Sequence, residues 1–222
     1  MTVESPRVES SGRPPRSPGA GAVIHWAGRY DALLWLLTLG REQSFRERLL
    51  QHAALRADES VLDVGCGTGT LAIVAARLVG PTGHVHGIDP SEEMIARAAK
   101  KARNARVEVD FRTGFVQSLP YADAEFDVVL STLMMHHLPR AARADCVRET
   151  RRVLKPGGRA VVIDFGARAG GKKSLIGHLH RHGHVKLDHI VDVLDEGGFD
   201  VVESGAVGTR NLYFAIGKPN AA

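Results

Sequence analysis

Residues 24–55 carry Ile24, Trp26, Tyr30, Leu33, Leu34, Leu37, Phe45, Leu49 and Leu50 mostly three or four positions apart, with a break near Gly40. Side chains at that spacing share one face of a helix, so two amphipathic helices are predicted here. From Val61 the period changes. VLDV, HVHGID, VEVDFRTG, FDVVLS and RAVVIDF are short apolar runs, and TLAIVAARLV, SEEMIARAAKKARN and RADCVRETRRVL are helical stretches set among them. Alternation of this kind implies right-handed βαβ units and a parallel sheet. Near the carboxyl terminus KLDHIVDVLDEGG reads as a helix stopped by Gly197 and Gly198, followed by the strands FDVVESGAVG and NLYFAIGK with a turn at residues 208–210. The expected fold is therefore α/β, a Rossmann-like three-layer sandwich whose mostly parallel sheet ends in an antiparallel hairpin.

Composition narrows the picture. Residues 1–22 are rich in Ser, Pro, Gly and Arg without an apolar segment, so they are expected to be a flexible tail rather than a signal peptide. Residues 23–222 form the expected domain, with residues 23–57 as a leading helical lid. The longest apolar run, residues 33–37, is far shorter than the roughly 20 residues that span a bilayer, so no membrane span is expected. Two cysteines, Cys66 and Cys146, lie 80 positions apart without metal-ligand spacing, which suits buried thiols in the cytoplasm. The net charge is +4, yet Arg140, Arg143, Arg148, Arg151 and Arg152 are interleaved with Asp145 and Glu149, as on a solvated helix face, and no nucleic-acid partner is expected.

Candidate chemistry begins at VLDVGCGTGT. Gly65, Gly67 and Gly69 let the chain turn tightly after a buried strand and let a ligand approach the backbone. A dinucleotide loop would have the same look, but its third glycine position is Thr70 here, and Asp63 sets a carboxylate beside the loop that suits a cationic ligand better than a pyrophosphate. Asp89 closes the second strand, where a carboxylate can accept ribose hydroxyls; Ser91 is left to cap the next helix. After the fourth strand, Ser131 to His137 fall at the mouth of the site, with His136 and His137 as candidate general bases.

VLDVGCGTG, GIDPSEEMI, SLPYADAEFDVVLSTLMMHHL and RVLKPGGRAVVIDF, read together over about residues 58–166, resemble the consecutive motifs of class I methyltransferases, especially the ubiquinone and menaquinone branch. The resemblance implies a seven-stranded sheet and the cofactor S-adenosyl-L-methionine. Its methionine portion would lie near Asp63, Gly65, Cys66, Gly67, Gly69 and Ser131, its ribose on Asp89 and Pro90, and its adenine beside Met94, Gly114 and Phe115. Where similar proteins often read Gly-Asp-Ala-Glu, this chain has Gly114-Phe115-Val116-Gln117, so the adenine amino group loses a carboxylate and would rest on the Phe115 amide and apolar contact.

The implied reaction is methyl transfer to a small apolar or aromatic acceptor such as a quinone, phenol, lipid or secondary metabolite, with Tyr30 and Trp26 of the leading helices shaping the acceptor pocket and Trp35 packed in the core. A macromolecule methyltransferase is disfavoured because STLMMHH replaces the Asn/Asp-Pro-Pro-aromatic clamp used on a flipped base. A noncatalytic cofactor-binding protein on the same fold stays open. The histidine run His178, His180, His182, His184 and His189 is expected to be a lid or solvated loop, and no metal is expected.

Overall fold

The computed structural model describes residues 42–165, 187–208 and 212–220. Within them run α1 (Glu42–Ala53), β1 (Ser60–Val64), α2 (Thr70–Val79), β2 (His84–Asp89), α3 (Glu92–Ala105), β3 (Asp110–Thr113), β4 (Phe126–Thr132), α4 (Arg140–Val153), β5 (Leu154–Phe165), α5 (Leu187–Glu196), β6 (Phe199–Ala206) and β7 (Leu212–Pro219). The seven strands form one sheet in the order β3-β2-β1-β4-β5-β7-β6. Neighbours from β3 to β5 pair in parallel, while β7 is antiparallel to both β5 and β6. The three-layer, mostly parallel sheet with its terminal hairpin is thus the architecture that the apolar pattern predicts.

Strand alternation builds the two faces. Val61, Val128, Leu130 and Ile163 pack with Leu49 and Leu50 of α1 and Leu71 and Val74 of α2. Leu62, Val64, Val129 and Val162 pack on the other face with Cys146 and Val147 of α4 and Ile190 and Leu194 of α5. Burying these branched side chains on both faces at ~25 cal/mol per Å² is what holds a parallel sheet closed from water. Asp63 shares a face with Val61, so it is carried under α1 and α2, where it is 2 % exposed.

Two features of sequence are refined. The second of the two expected leading helices is α1, docked by Leu49, Leu50 and Ala53 and by Arg159, whose guanidinium donates to the Ala53 and Ala54 carbonyls. The first falls outside the described residues, as does the expected tail. The arginines of α4 do not all lie on a solvated face: Arg152 donates to the carbonyls of Leu119 and Tyr121 and Arg143 to that of Met135, because a long guanidinium reaches loop carbonyls that lack strand partners. Arg148 fits the expectation, paired to Asp145 at the surface.

The strand order reverses at β1. The chain leaves β1 for β2 and β3 on one side, then returns to β4 on the other. In open α/β sheets a ligand crevice lies outside the carboxyl ends of the strands at such a reversal. The loops after β1 and β4 flank it.

Candidate cofactor and acceptor site

The loop after β1 is shaped by three left-handed glycines, with φ of 70° at Gly65, 54° at Gly67 and 74° at Gly69. At two of them a side chain is sterically barred. A Cβ on Gly65 would come 2.3 Å from Met134 Cγ, and one on Gly69 would come 2.7 Å from both the Ala98 methyl and the Phe111 ring. At Gly67 a Cβ would meet nothing within 4 Å, so the backbone there borders open space. The loop is tied to β2 by Gly65 and Cys66 amides that donate to the Ile88 carbonyl at 2.8 and 3.0 Å.

Asp89 ends β2 beside this loop. Its Oδ2 accepts from the Gly67 amide at 3.0 Å and its Oδ1 from the Ser91 amide at 2.9 Å. Burial pushes its carboxyl above the usual range, against the pull of those two amides. Ser91 does cap α3, its hydroxyl accepting from the Met94 amide at 3.3 Å. Asp89 is therefore half-buried with one bond to each oxygen, and each oxygen retains capacity for another.

Asp63 is placed differently. It accepts from the Ala72 amide in the first turn of α2, a helix whose N-cap, Gly69, has no side chain to offer. Its Oδ2 is buried and makes no hydrogen bond among the described residues. Burial raises its carboxyl to about 7, against the opposing charge of Arg46 on α1 and with the added repulsion of Asp89. Its position under the loop makes it a support for the glycine turn.

Across the reversal, β4 ends at Ser131 and Thr132, and Leu133 takes φ of 56° to start a sharp turn. Ser131 is buried, and its Oγ has no hydrogen-bond partner among the described residues. Met134 lies against Gly65, bringing this turn over the glycine loop. His136 then seats on Asp164, the penultimate residue of β5: its amide donates to Oδ2 at 2.9 Å and its ring Nδ1 lies 2.6 Å from Oδ1. Asp164 is 0 % exposed. The ring of exposed His137 lies against that of His136, tilted by 43° with centroids 3.9 Å apart.

Such an edge can hold a nucleoside by its ribose on a carboxylate and a polar cationic group over the glycine turn, with a histidine a short way off. Over this stretch the chain is similar to known proteins. Residues 61–158 match the methyltransferase domain family. Among curated relatives, the demethylmenaquinone methyltransferase of Lactobacillus johnsonii is 34% identical over 140 residues, covering 62% of this chain and 57% of that protein. The arsenite methyltransferase of Halobacterium salinarum is 38% identical over 159 residues, covering 68% of this chain and 40% of that protein. The chain thus spans only a little over half the length of the first of these. A crystal structure of a SAM-dependent methyltransferase from Aquifex aeolicus superposes with TM-score 0.65 at 23% identity, over 78% of this chain and 88% of that one, and shares its fold.

Within the described residues, the structure brings Gly65, Cys66, Gly67, Gly69, Asp89, Pro90 and Gly114 to one loop cluster. The Gly114 amide donates to the Asp89 carbonyl at 3.1 Å. Met94 is buried in α3, and Phe115 is half-buried with its carbonyl accepting from Ser118. Burial pushes the Cys66 thiol up, so it is a protonated packing group. Tyr30, Trp26, Trp35 and the histidines 178–184 lie outside the described residues, as does the side chain of His189.

Sequence reasoning missed three contributors. Arg46 brings a buried positive charge to Asp63 from a helix read only for its apolar face. Lys101 reaches from α3 to the hydroxyls of Thr68 and Thr70 at 3.0 and 2.6 Å, which joins α3 to the start of α2 and gives Thr70 its role. Asp164 seats His136. A signal for it existed: RAVVIDF carries Ile-Asp next to its end, as HVHGID does at its end.

Proposed function

We propose that this chain is an S-adenosyl-L-methionine-dependent methyltransferase acting on a small apolar or aromatic acceptor. The observation that carries the reading is the half-buried Asp89, held by the Gly67 and Ser91 amides beside a loop whose central glycine borders open space. Both of its oxygens suit the two hydroxyls of a ribose. The unpartnered Asp63 Oδ2 and Ser131 Oγ give the edge further capacity for an ammonium or carboxylate, as buried polar atoms call for a partner. Met94, Gly114 and Phe115 supply apolar contact for an adenine. When bound, the cofactor supplies a methyl group already activated on a sulfonium.

The protein's share of the work is then approach geometry and exclusion of water, since an in-line displacement with an activated leaving group needs little else. The buried shell under the loop and the turn 133–137 provide that surround.

The demethylmenaquinone relatives favour a ring acceptor of quinone type. The arsenite relative points to a different acceptor, yet arsenic(III) is a soft centre that binds thiols, and both cysteines of this chain are buried. An organic acceptor is the better match. The free thiols suit a reducing compartment and with it a cytoplasmic enzyme; no helix among the described residues is long and apolar enough to cross a membrane.

The test is incubation of the full chain with the cofactor and a panel of hydroquinones, phenols and amines, with demethylated cofactor and methylated product followed by mass spectrometry. Product from a hydroquinone or phenol is expected. Product from none of the panel, together with no binding of the cofactor, would overturn the reading.

A further inference from the structure

We propose that Asp164 is a positioning residue that fixes His136 as the general base of the transfer, and that the acceptor is an aromatic ring bearing a hydroxyl whose proton His136 removes. The inference rests on the methyltransferase reading above and deepens it.

The seat is two-pronged. The Asp164 carboxylate holds the His136 backbone amide on Oδ2 at 2.9 Å and its ring Nδ1 on Oδ1 at 2.6 Å, and the Phe165 amide donates to Oδ1 at 2.7 Å. Two backbone amides already donate to this carboxylate, so it serves the ring as an acceptor too, and Nδ1 must bring the hydrogen. The proton is thereby assigned to Nδ1, and Nε2 is left with its lone pair. The arrangement separates the two histidines. His136 is anchored to a fully buried carboxylate, whereas exposed His137 lies against the His136 ring at a tilt of 43°. Arg143 of α4 is within electrostatic reach of Asp164, and its guanidinium donates to the Met135 carbonyl, which braces the same turn.

Two neighbours define what the base faces. Met134 lies on Gly65, so the turn that carries His136 overlies the glycine loop. Phe165 packs edge-on to the His136 ring at 5.3 Å and is itself 40 % exposed at the end of β5. An apolar ring beside a basic nitrogen suits an aromatic acceptor with an acidic hydroxyl. In the step, the acceptor O–H bond breaks and its proton goes to His136 Nε2. The acceptor's freed electron pair forms the new bond to the methyl carbon, at oxygen or at the ring carbon conjugated to it; in the second case that carbon's hydrogen then leaves to water as a proton and its bonding pair restores the ring. The bonding pair of the methyl–sulfur bond stays on sulfur, which leaves as a neutral thioether, and the positive charge ends on His136 until the proton passes to water.

The hydrogen's location is tested without turnover. In full-length protein labelled with nitrogen-15, long-range proton–nitrogen spectra, with His136 assigned by comparison with His136→Gln, should show Nδ1 protonated and Nε2 bare for neutral His136. In Asp164→Asn, whose amide presents a donor to the ring, the hydrogen should move to Nε2. A wild-type His136 protonated on Nε2 overturns the proposal, and this arm decides whether or not the variant folds.

Turnover supplies the second arm, with 1,4-naphthohydroquinone and 4-nitrophenol as probes. His136→Ala should lose on the order of 10²–10⁴-fold in kcat with the weakly acidic hydroquinone. With 4-nitrophenol, which arrives largely ionised in mildly alkaline buffer, the loss should be small, and added imidazole should restore hydroquinone turnover. Equal losses with both probes and no rescue would mark His136 as merely structural and overturn the proposal. Failure of the wild-type chain to bind the cofactor would instead sink the methyltransferase reading, while the tautomer measurement would still decide the pair.

Discussion

Two strands of the sheet carry the same dipeptide at or next to their carboxyl ends. Ile88-Asp89 closes β2 and Ile163-Asp164 lies at the end of β5, both at the carboxyl edge where the crevice lies, yet the two carboxylates have opposite surroundings. Asp89 is half-buried and, among the described residues, bonded to the backbone amides of Gly67 and Ser91. Asp164 is wholly buried and bonded to a side chain, His136, as well as to two amides. The first is built to be completed by something else, and the second is already complete and transmits its order to a neighbour. A carboxylate's place in a fold therefore says little until its donors are counted.

Asp63, the third acid at this edge, marks the extreme. Its folded-state value of about 7 lies above its ordinary value, so the folded protein holds this proton over a range where the unfolded chain has lost it. The corresponding stability is fully present below about pH 4 and is lost as pH rises toward 7, by up to about 4 kcal/mol. Urea midpoints measured at about pH 5 and about pH 8 should show this decline in the wild type and its disappearance in Asp63→Asn. An unchanged slope would mean that Asp63 stays charged against Arg46.

Next in size is Asp164→Ala, which strips the seat from His136 and leaves buried donors unpaired, at a cost of about 3 kcal/mol. Its urea midpoint should fall clearly, while cofactor affinity changes little. Asp89→Ala should do the reverse. Its midpoint should move by about 1 kcal/mol or less, and its cofactor affinity should drop on the order of 10–100-fold, as expected for hydrogen bonds to a charged group. If both substitutions acted on stability alone, the contrast between a waiting and a finished carboxylate would fail. The smallest effect is expected at Phe115→Asp, which restores a carboxylate at the adenine edge and should tighten the cofactor by about tenfold or less.

Much of this was legible in the amino-acid sequence, because it depends on local order. The period-two and period-3.6 runs gave the sheet and its helices, and the glycine spacing with Thr70 and Asp89 gave the loop. What depends on distance in sequence was hidden. Asp164 meets a histidine 28 positions earlier, Lys101 reaches Thr68 over 33, and Arg46 lies across a helix packing that no spacing encodes. Asp63 was legible as an acid beside the loop, but its burial under α1 and α2 follows from strand alternation, which places it with Val61 on the covered face.

The most direct test of the central claim is a calorimetric titration of S-adenosyl-L-methionine into the wild-type chain and into Asp89→Ala. The account requires single-site binding in the micromolar range by the wild type and a clear weakening in the variant. No binding by the wild type at millimolar cofactor, or equal affinity in the two proteins, would contradict it.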